Sequence, residues 1–386
     1  MAVLTNPRCK HGTILLLIAM LAASCDTPRA DGPQGFLATI RLHVTLTSTV
    51  TDNGDLNPSA VIVAPVSAGK LQAGEVLVNN SNNISNLQGT GTTIVSYRPS
   101  TKQTTLFARL PQKLAGCPGG VGFSGSMAML KSGWVIVGSA PSTDGTTGTK
   151  GPGCLVVLDA NGQLAATWAG PTIDCPWGNI EVIERGDTAI LFVAMAGFDV
   201  PGLDVRDPDT GYPVTVRKGT VLRIEAAIAE GKPPAIVSQT VIGDGFSERA
   251  DLDNFLFGPT GLALRADGAL LVTDGMDNRI TVIADAATRT DSAGTGELLT
   301  EGRLLAWPLN MVPTPDGHLL VCNGRNGLVV ELDPMTGKQI YAQWIDTDQT
   351  QAPPGNGNLF GIAMKPDGTG FYYDEDDGNT LVEATR

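Results

Sequence analysis

Asp274, Asn323 and Asp374 are short, oxygen-bearing side chains that recur in register, each fifteen residues after Pro259, Pro308 and Leu359 respectively. Each ends a strand-like apolar run ahead of a polar turn, and Asn79 does the same earlier in the chain. A ring of carboxylate and amide oxygens facing one point suits a hard cation such as calcium or another divalent ion. The same side chains also serve turns, by accepting backbone hydrogen bonds. A second set lies at or near the positions that lead into the apolar runs: Asn57, Trp177, Asn179, Asn254, Trp307, Asn310 and Asn358. Proline and a small residue recur around them while they vary, so they are the candidates for a lining that contacts a ligand. Turn capping and core packing are the structural alternatives for each.

Other chemistries are poorly supplied. Beyond residue 24 the histidines are His43 and His318, one in an alternating N-terminal run and one directly after a turn, which argues against a histidine triad or a three-histidine zinc site. Gly122-Phe-Ser-Gly-Ser126 lacks the last glycine of a nucleophile elbow. Gly148-Thr-Lys150 and Gly337-Lys338-Gln339 lack the remainder of a phosphate loop. The acidic stretches Asp52 to Asn57, Asp204 to Gly211 and Asp374 to Asn379 read as solvated turns, since none has a full calcium-loop spacing. Cys117 and Cys175 occupy equivalent places before proline, and Cys154 follows a loop on the same face, so a disulfide joins Cys117 to Cys175 or involves Cys154. Cys322, at the end of an apolar run, reads as a free core thiol.

The elements that must position these residues are repeated. In Gly258 to Ile283, GPTGLALRADGALLVTDGMDNRITVI, two apolar strands flank an Ala-Asp-Gly turn and a polar turn leads to a third strand. Pro259 is followed eight residues later by Asp267-Gly268, Pro308 by Asp316-Gly317, and Leu359 by Asp367-Gly368. Copies about fifty residues apart point to radial repetition of a small antiparallel sheet. The 47 glycines and 25 prolines suit short strands and tight turns. Earlier, looser copies begin near Asn57, Cys117 and Cys175, with long loops at Asn79 to Gly91, Ser139 to Gly153 and Ala196 to Lys218. Val221 to Glu230 reads as a strand ending in a short helical turn. The sixth copy stops after three strands, and the alternating run near Ala38 to Thr47 can supply its fourth, covering an edge that would otherwise be exposed. The expectation is an all-β, six-bladed propeller of four-stranded antiparallel blades over residues 36 to 386.

The run PTGLALRADGALLVTDGMDNRITVI resembles the repeat of NHL-type six-bladed β-propellers, most clearly from Leu256 onward. That superfamily includes binding and scaffolding modules, lyases, and metal-dependent lactonases of the gluconolactonase type. The resemblance to the lactonases implies a metal held by carboxylate and amide oxygens at the channel mouth, with a glutamate at the start of an early inner strand. Asn57-Pro58 has no such neighbour, and Glu181 lies within the third inner strand.

Residues 1 to 24 read as a secretory signal, with Arg8 and Lys10 ahead of the apolar run from Ile14. Leu21-Ala-Ala-Ser-Cys25 resembles a bacterial lipoprotein signal, which implies lipidation of Cys25, a tether over residues 25 to 35 and a place in the cell envelope. The net charge of -13, without basic clusters, argues against nucleic acid and anionic headgroups as partners. The leading expectation is a monomeric, lipid-anchored envelope propeller that binds a protein or small ligand on its loop-rich face. The alternative is a metal-dependent hydrolase, lactonase-like, or a lyase, acting at the channel mouth.

Overall fold

The computed structural model describes residues 35–346, 348–357 and 359–386. Strand β1 (Leu42–Ser48) belongs with the end of the chain. Blade one is β2 to β5 (Leu56–Val63, Val76–Asn82, Thr93–Arg98, Gln103–Arg109), and blade two is β6 to β9 (Phe123–Met129, Val135–Ser139, Cys154–Leu158, Leu164–Trp168). Blade three is β10 to β14 (Glu181–Arg185, Thr188–Met195, Thr215–Ala229, Lys232–Asp251, Phe255–Phe257). Blade four is β15 to β18 (Pro259–Leu264, Leu270–Asp274, Arg279–Ile283, Glu297–Glu301), and blade five is β19 to β22 (Pro308–Pro313, Leu319–Asn323, Leu328–Leu332, Gln339–Trp344). Blade six takes β23 to β25 (Ile362–Met364, Gly370–Glu375, Thr380–Thr385) and is completed by β1, antiparallel to β25. The chain is a six-bladed all-β propeller.

Burial follows position in the blade. The second strands β7, β16 and β20 are buried along their whole length, as strands packed between neighbouring sheets must be, whereas the outer strand β18 is largely open to solvent. Crowding near the axis explains two glycines. A Cβ on Gly261 would lie 2.1 Å from the Leu309 carbonyl oxygen, and one on Gly178, whose φ is +77°, would lie 2.1 Å from that of Thr260.

Closure is secured by side chains as well as by the ladder. Both Glu331 carboxylate oxygens accept from the N-terminal segment, from Phe36 N at 2.8 Å and Leu37 N at 2.7 Å. Phe36, Leu37 and Ile40 are buried against Leu320, Cys322, Val329 and Phe371. Cys322 is a free buried thiol, as its apolar setting implied.

Blade three departs from the expected pattern. The segment Val221 to Glu230 forms no helical turn: β12 runs on to Ala229 and pairs with β11 on one side and with β13, through several bulges, on the other. The alanines lend helix propensity, but ladder partners on both sides satisfy the backbone and override it. The loop from Ala196 is correspondingly shorter, since β12 already begins at Thr215.

Candidate functional site

In this topology the turns after the second strands and the segments leading into the inner strands emerge on one face. Cys117 and Cys154 on that face are disulfide-bonded, with Cα atoms 5.5 Å apart. Of the two pairings open from sequence, the one with Cys154 is formed. Cys175 is a free thiol, fully buried in the apolar cluster around Trp177, and burial pushes its pKa up.

Near the axis, polar groups reach between non-adjacent blades. Asn179 N donates to Asn310 Oδ1 at 2.9 Å, joining blade three to blade five. The Asn179 carboxamide also behaves as a surrogate strand, donating to Leu262 O at 2.7 Å and accepting from Leu262 N at 2.9 Å. Trp177 is 5% exposed and packs edge-on against Phe360 and beside Phe255, so it fills the core. Glu181, at the start of β10, is pushed up to about 7 by burial.

Asn79, Thr273 and Asp374 share one job. Asn79 Oδ1 accepts from Ala60 N at 2.9 Å, Thr273 Oγ1 from Gly261 N at 2.6 Å, and Asp374 Oδ1 from Gly361 N at 2.8 Å, each supporting an inner strand. Sequence spacing aligned Asp374 with Asp274 instead. The cause is the hairpin turn: Leu264 pairs with Leu270 but Met364 with Phe371, one residue longer. That insertion shifts the pairing by one, so that Glu375 opposite Thr380 matches Asp274 opposite Arg279. Asp274 is ion-paired to Arg279 at 2.8 Å, and its burial still raises it to about 6. Asn323 donates to Leu304 O at 2.7 Å. Asp274, Asn323 and Asp374 each retain one buried oxygen without a hydrogen-bond partner.

Asn57 does line a cavity. About 620 Å³ open at the mouth of the channel between Asn57, the Asn86–Gln88 and Asp144–Thr146 loops, Leu252 and Asp253, the segment from Gln351 to Gly357, and Asp376 and Asp377. Among the described residues, its charged lining is Asp144, Asp253, Asp376 and Asp377, with no cation. Mutual repulsion adds to burial here: Asp376 is raised well above its ordinary value by burial first and then by Asp377, Asp374, Glu375 and Asp346. A larger cavity, about 800 Å³ beside Cys117, has Lys113 as its one charged lining residue and lacks any convergent set.

Trp307 lines a second, smaller lobe of about 260 Å³, which shares Leu252, Asp253, Ala352 and Asn356 with the first. Asn254 lies beneath this rim, 2% exposed, and holds Asp251 through its side-chain amide at 3.0 Å. Asn358 and Cys25 lie outside the described residues.

Among the described residues, one group of three metal-ligating side chains has its donor atoms within 4.8 Å of one another: Asp316, His318 and Glu331. It is on the opposite face, at a turn between first and second strands. Glu331 spends both oxygens there on Phe36 and Leu37, and one of them also meets His318 Nδ1 at 2.7 Å. The group is a latch for the N-terminal segment.

No protein-family model and no curated protein matches the chain. Solved structures share the fold. A gluconolactonase from Xanthomonas campestris is 13% identical, covering 90% of this chain and 89% of its own, with a TM-score of 0.51. A luciferin-regenerating enzyme is 12% identical, covering 89% and 95%, with a TM-score of 0.52. An aldose sugar dehydrogenase from Streptomyces coelicolor, solved with PQQ bound, is 15% identical, covering 89% and 98%, with a TM-score of 0.51. At such identities the likeness is one of fold.

Proposed function

We propose that this chain is a hydrolase of the lactonase type, acting on a small hydroxyl-bearing ring ester in the channel-mouth cavity. The observation that carries the reading is the lining of that cavity, four carboxylates with amide side chains and, among the described residues, no cation. Ring opening needs a base for the attacking water and a group that stabilises the oxyanion. Asp376 suits the first role: Oδ1 has no hydrogen-bond partner among the described residues, and burial together with the neighbouring carboxylates raises its affinity for a proton. The gluconolactonase and the luciferin-regenerating enzyme that share the fold support a small-molecule enzyme over a pure scaffold.

The donors fit a hard cation. Asp144 and Asp253 with Asn57 and Asn356 are oxygen ligands of the kind calcium takes, and water would complete the shell, since among the described residues no three mouth carboxylates are gathered within 4.8 Å. When bound, the ion supplies Lewis-acid stabilisation of the ester oxygen. Purified, dialysed protein should retain a divalent metal by elemental analysis and hydrolyse an aldonolactone panel in a pH-indicator assay. Asp376→Asn should lower kcat roughly a hundredfold. Turnover at the buffer rate with calcium supplied, or an unaffected Asp376→Asn enzyme, would reject the reading.

We also propose that the protein is exported and anchored through Cys25. A palmitate analogue should label the wild-type protein and spare Cys25→Ser; equal labelling of both would sink that part.

The second reading, partner binding on the same face, is favoured by the exposed Tyr212 and Leu252, 60% and 73% open to solvent. Deleting Pro201 to Tyr212 should then abolish pull-down partners and leave lactone turnover intact.

A further inference from the structure

The smaller lobe has chemistry opposite to that of the mouth beside it. Arg206, Arg249 and Arg325 line it together with Tyr212 and Trp307, three cations against the two carboxylates Asp251 and Asp253 at its rim. The Arg325 guanidinium lies 4.4 Å from the Trp307 ring centroid and that of Arg249 lies 5.2 Å from the Tyr212 centroid. Trp307 is itself fixed, with its ring 4.0 Å from that of Phe257 and its backbone N–H donated to Asn278 Oδ1 at 2.7 Å. Stacking holds a guanidinium by its face and leaves the N–H edge free to donate.

Those edges are unused. Among the described residues neither Arg249 nor Arg325 has a carboxylate within 4.0 Å, and Arg249 Nε is buried without an acceptor. The nearby Asp251 spends Oδ1 on its own turn, accepting from Asp253 N, Asn254 N and Asn254 Nδ2, each at 3.0 Å. Burial opposes the charge on Arg249 most, Asp251 and Tyr212 favour it, and Arg325 opposes it. Asp251 offsets part of the charge without accepting from either guanidinium, so the unpaired N–H donors face an open cavity between aromatic supports, where an anion would satisfy them.

We propose that this lobe binds the carboxylate or phosphate group of a small molecule, gripped by Arg249 and Arg325. The volume of about 260 Å³ admits one such group with a short stem, and the net charge of -13 disfavours polyanions. Because the rim is shared with the larger cavity, a ligand anchored here extends toward Asp253 and Asn356. The proposal concerns binding alone and stands whether or not the mouth is catalytic.

Titration calorimetry with inorganic phosphate and with succinate tests it on the whole domain and separates the two anion classes. Saturable binding of at least one is expected, with Kd on the order of 1 mM or tighter. Arg325→Gln, at an exposed position, and Arg249→Gln should each weaken it roughly tenfold or more. Arg303→Gln, an exposed arginine outside the lobe, should bind as wild type. Circular dichroism confirms that each variant is folded. Absence of saturation with both probes, or equal affinity in the Arg325→Gln and Arg303→Gln proteins, would overturn the proposal. Lost lactone turnover with intact anion binding would reject only the hydrolase.

Discussion

The Asn179 side chain makes with Leu262 the two hydrogen bonds that a neighbouring strand would make, at 2.7 and 2.9 Å, across the boundary between blades three and four. Asn179→Ala strands both backbone groups of Leu262 near the axis, a loss of about 2 to 4 kcal/mol. Asn179→Asp keeps the acceptor and removes the donor, and should fall between the two proteins in urea unfolding. A wild-type midpoint for Asn179→Ala would mean that the latch is idle.

Glu331→Ala removes the acceptor for Phe36 and Leu37 at once. The expected result is faster amide exchange across Leu42–Ser48 and Thr380–Thr385, where blade six is completed, with blades two and three unchanged. Uniform loss of protection would show instead that the six blades unfold as one unit.

The Cys117–Cys154 bridge closes a separation of 37 residues and should contribute about 3 to 4 kcal/mol through restriction of the unfolded chain. Cys117→Ser should lower the urea midpoint to that of the reduced wild-type protein. Cys175→Ser, by contrast, should remain oxidised and lose only a little packing.

Stability should fall as pH rises. Folding raises Asp274 from 3.8 to about 6, Glu181 from 4.5 to about 7 and Glu248 from 4.5 to about 9, burial being the largest cause in each. In those windows the folded state holds protons that the unfolded chain has released, so each group's stabilisation is complete below its unfolded pKa and is lost as pH climbs through its folded one. Glu248 is fully buried, neither oxygen has a hydrogen-bond partner, and Asp174 and Asp199 oppose its ionisation while Lys150 and Lys218 favour it. Glu248→Gln should therefore flatten the decline between pH 7 and 9, measured by urea titrations at fixed ionic strength.

Much of the fold was legible because a repeat states its own register: Pro259, Asp267 and Asp274 announce a blade, and a three-strand remainder announces the need for β1. The site was less so. Asp374 was aligned by counting residues, and one extra residue in a hairpin moved it to another role. Trp177 and Asn179 are polar or aromatic near the axis, where packing and blade bridging use the same residue types as ligand contact. The pairing of Arg325 with Trp307 was readable in principle, since a lead-in segment and the turn after the second strand of one blade share a face. The approach of Arg249 was not, because it rests on the length of the β12–β13 hairpin.

Strand β1 is the first of the described strands along the chain, and its partner β25 is the last of them. All of blades one to five lie between them in sequence, so β1 has no ladder partner until blade six forms. The ring is thus closed by a single late pairing: while β25 is unpaired, β1 and β24 both present open sheet edges, a liability for aggregation, and the one ladder hides both.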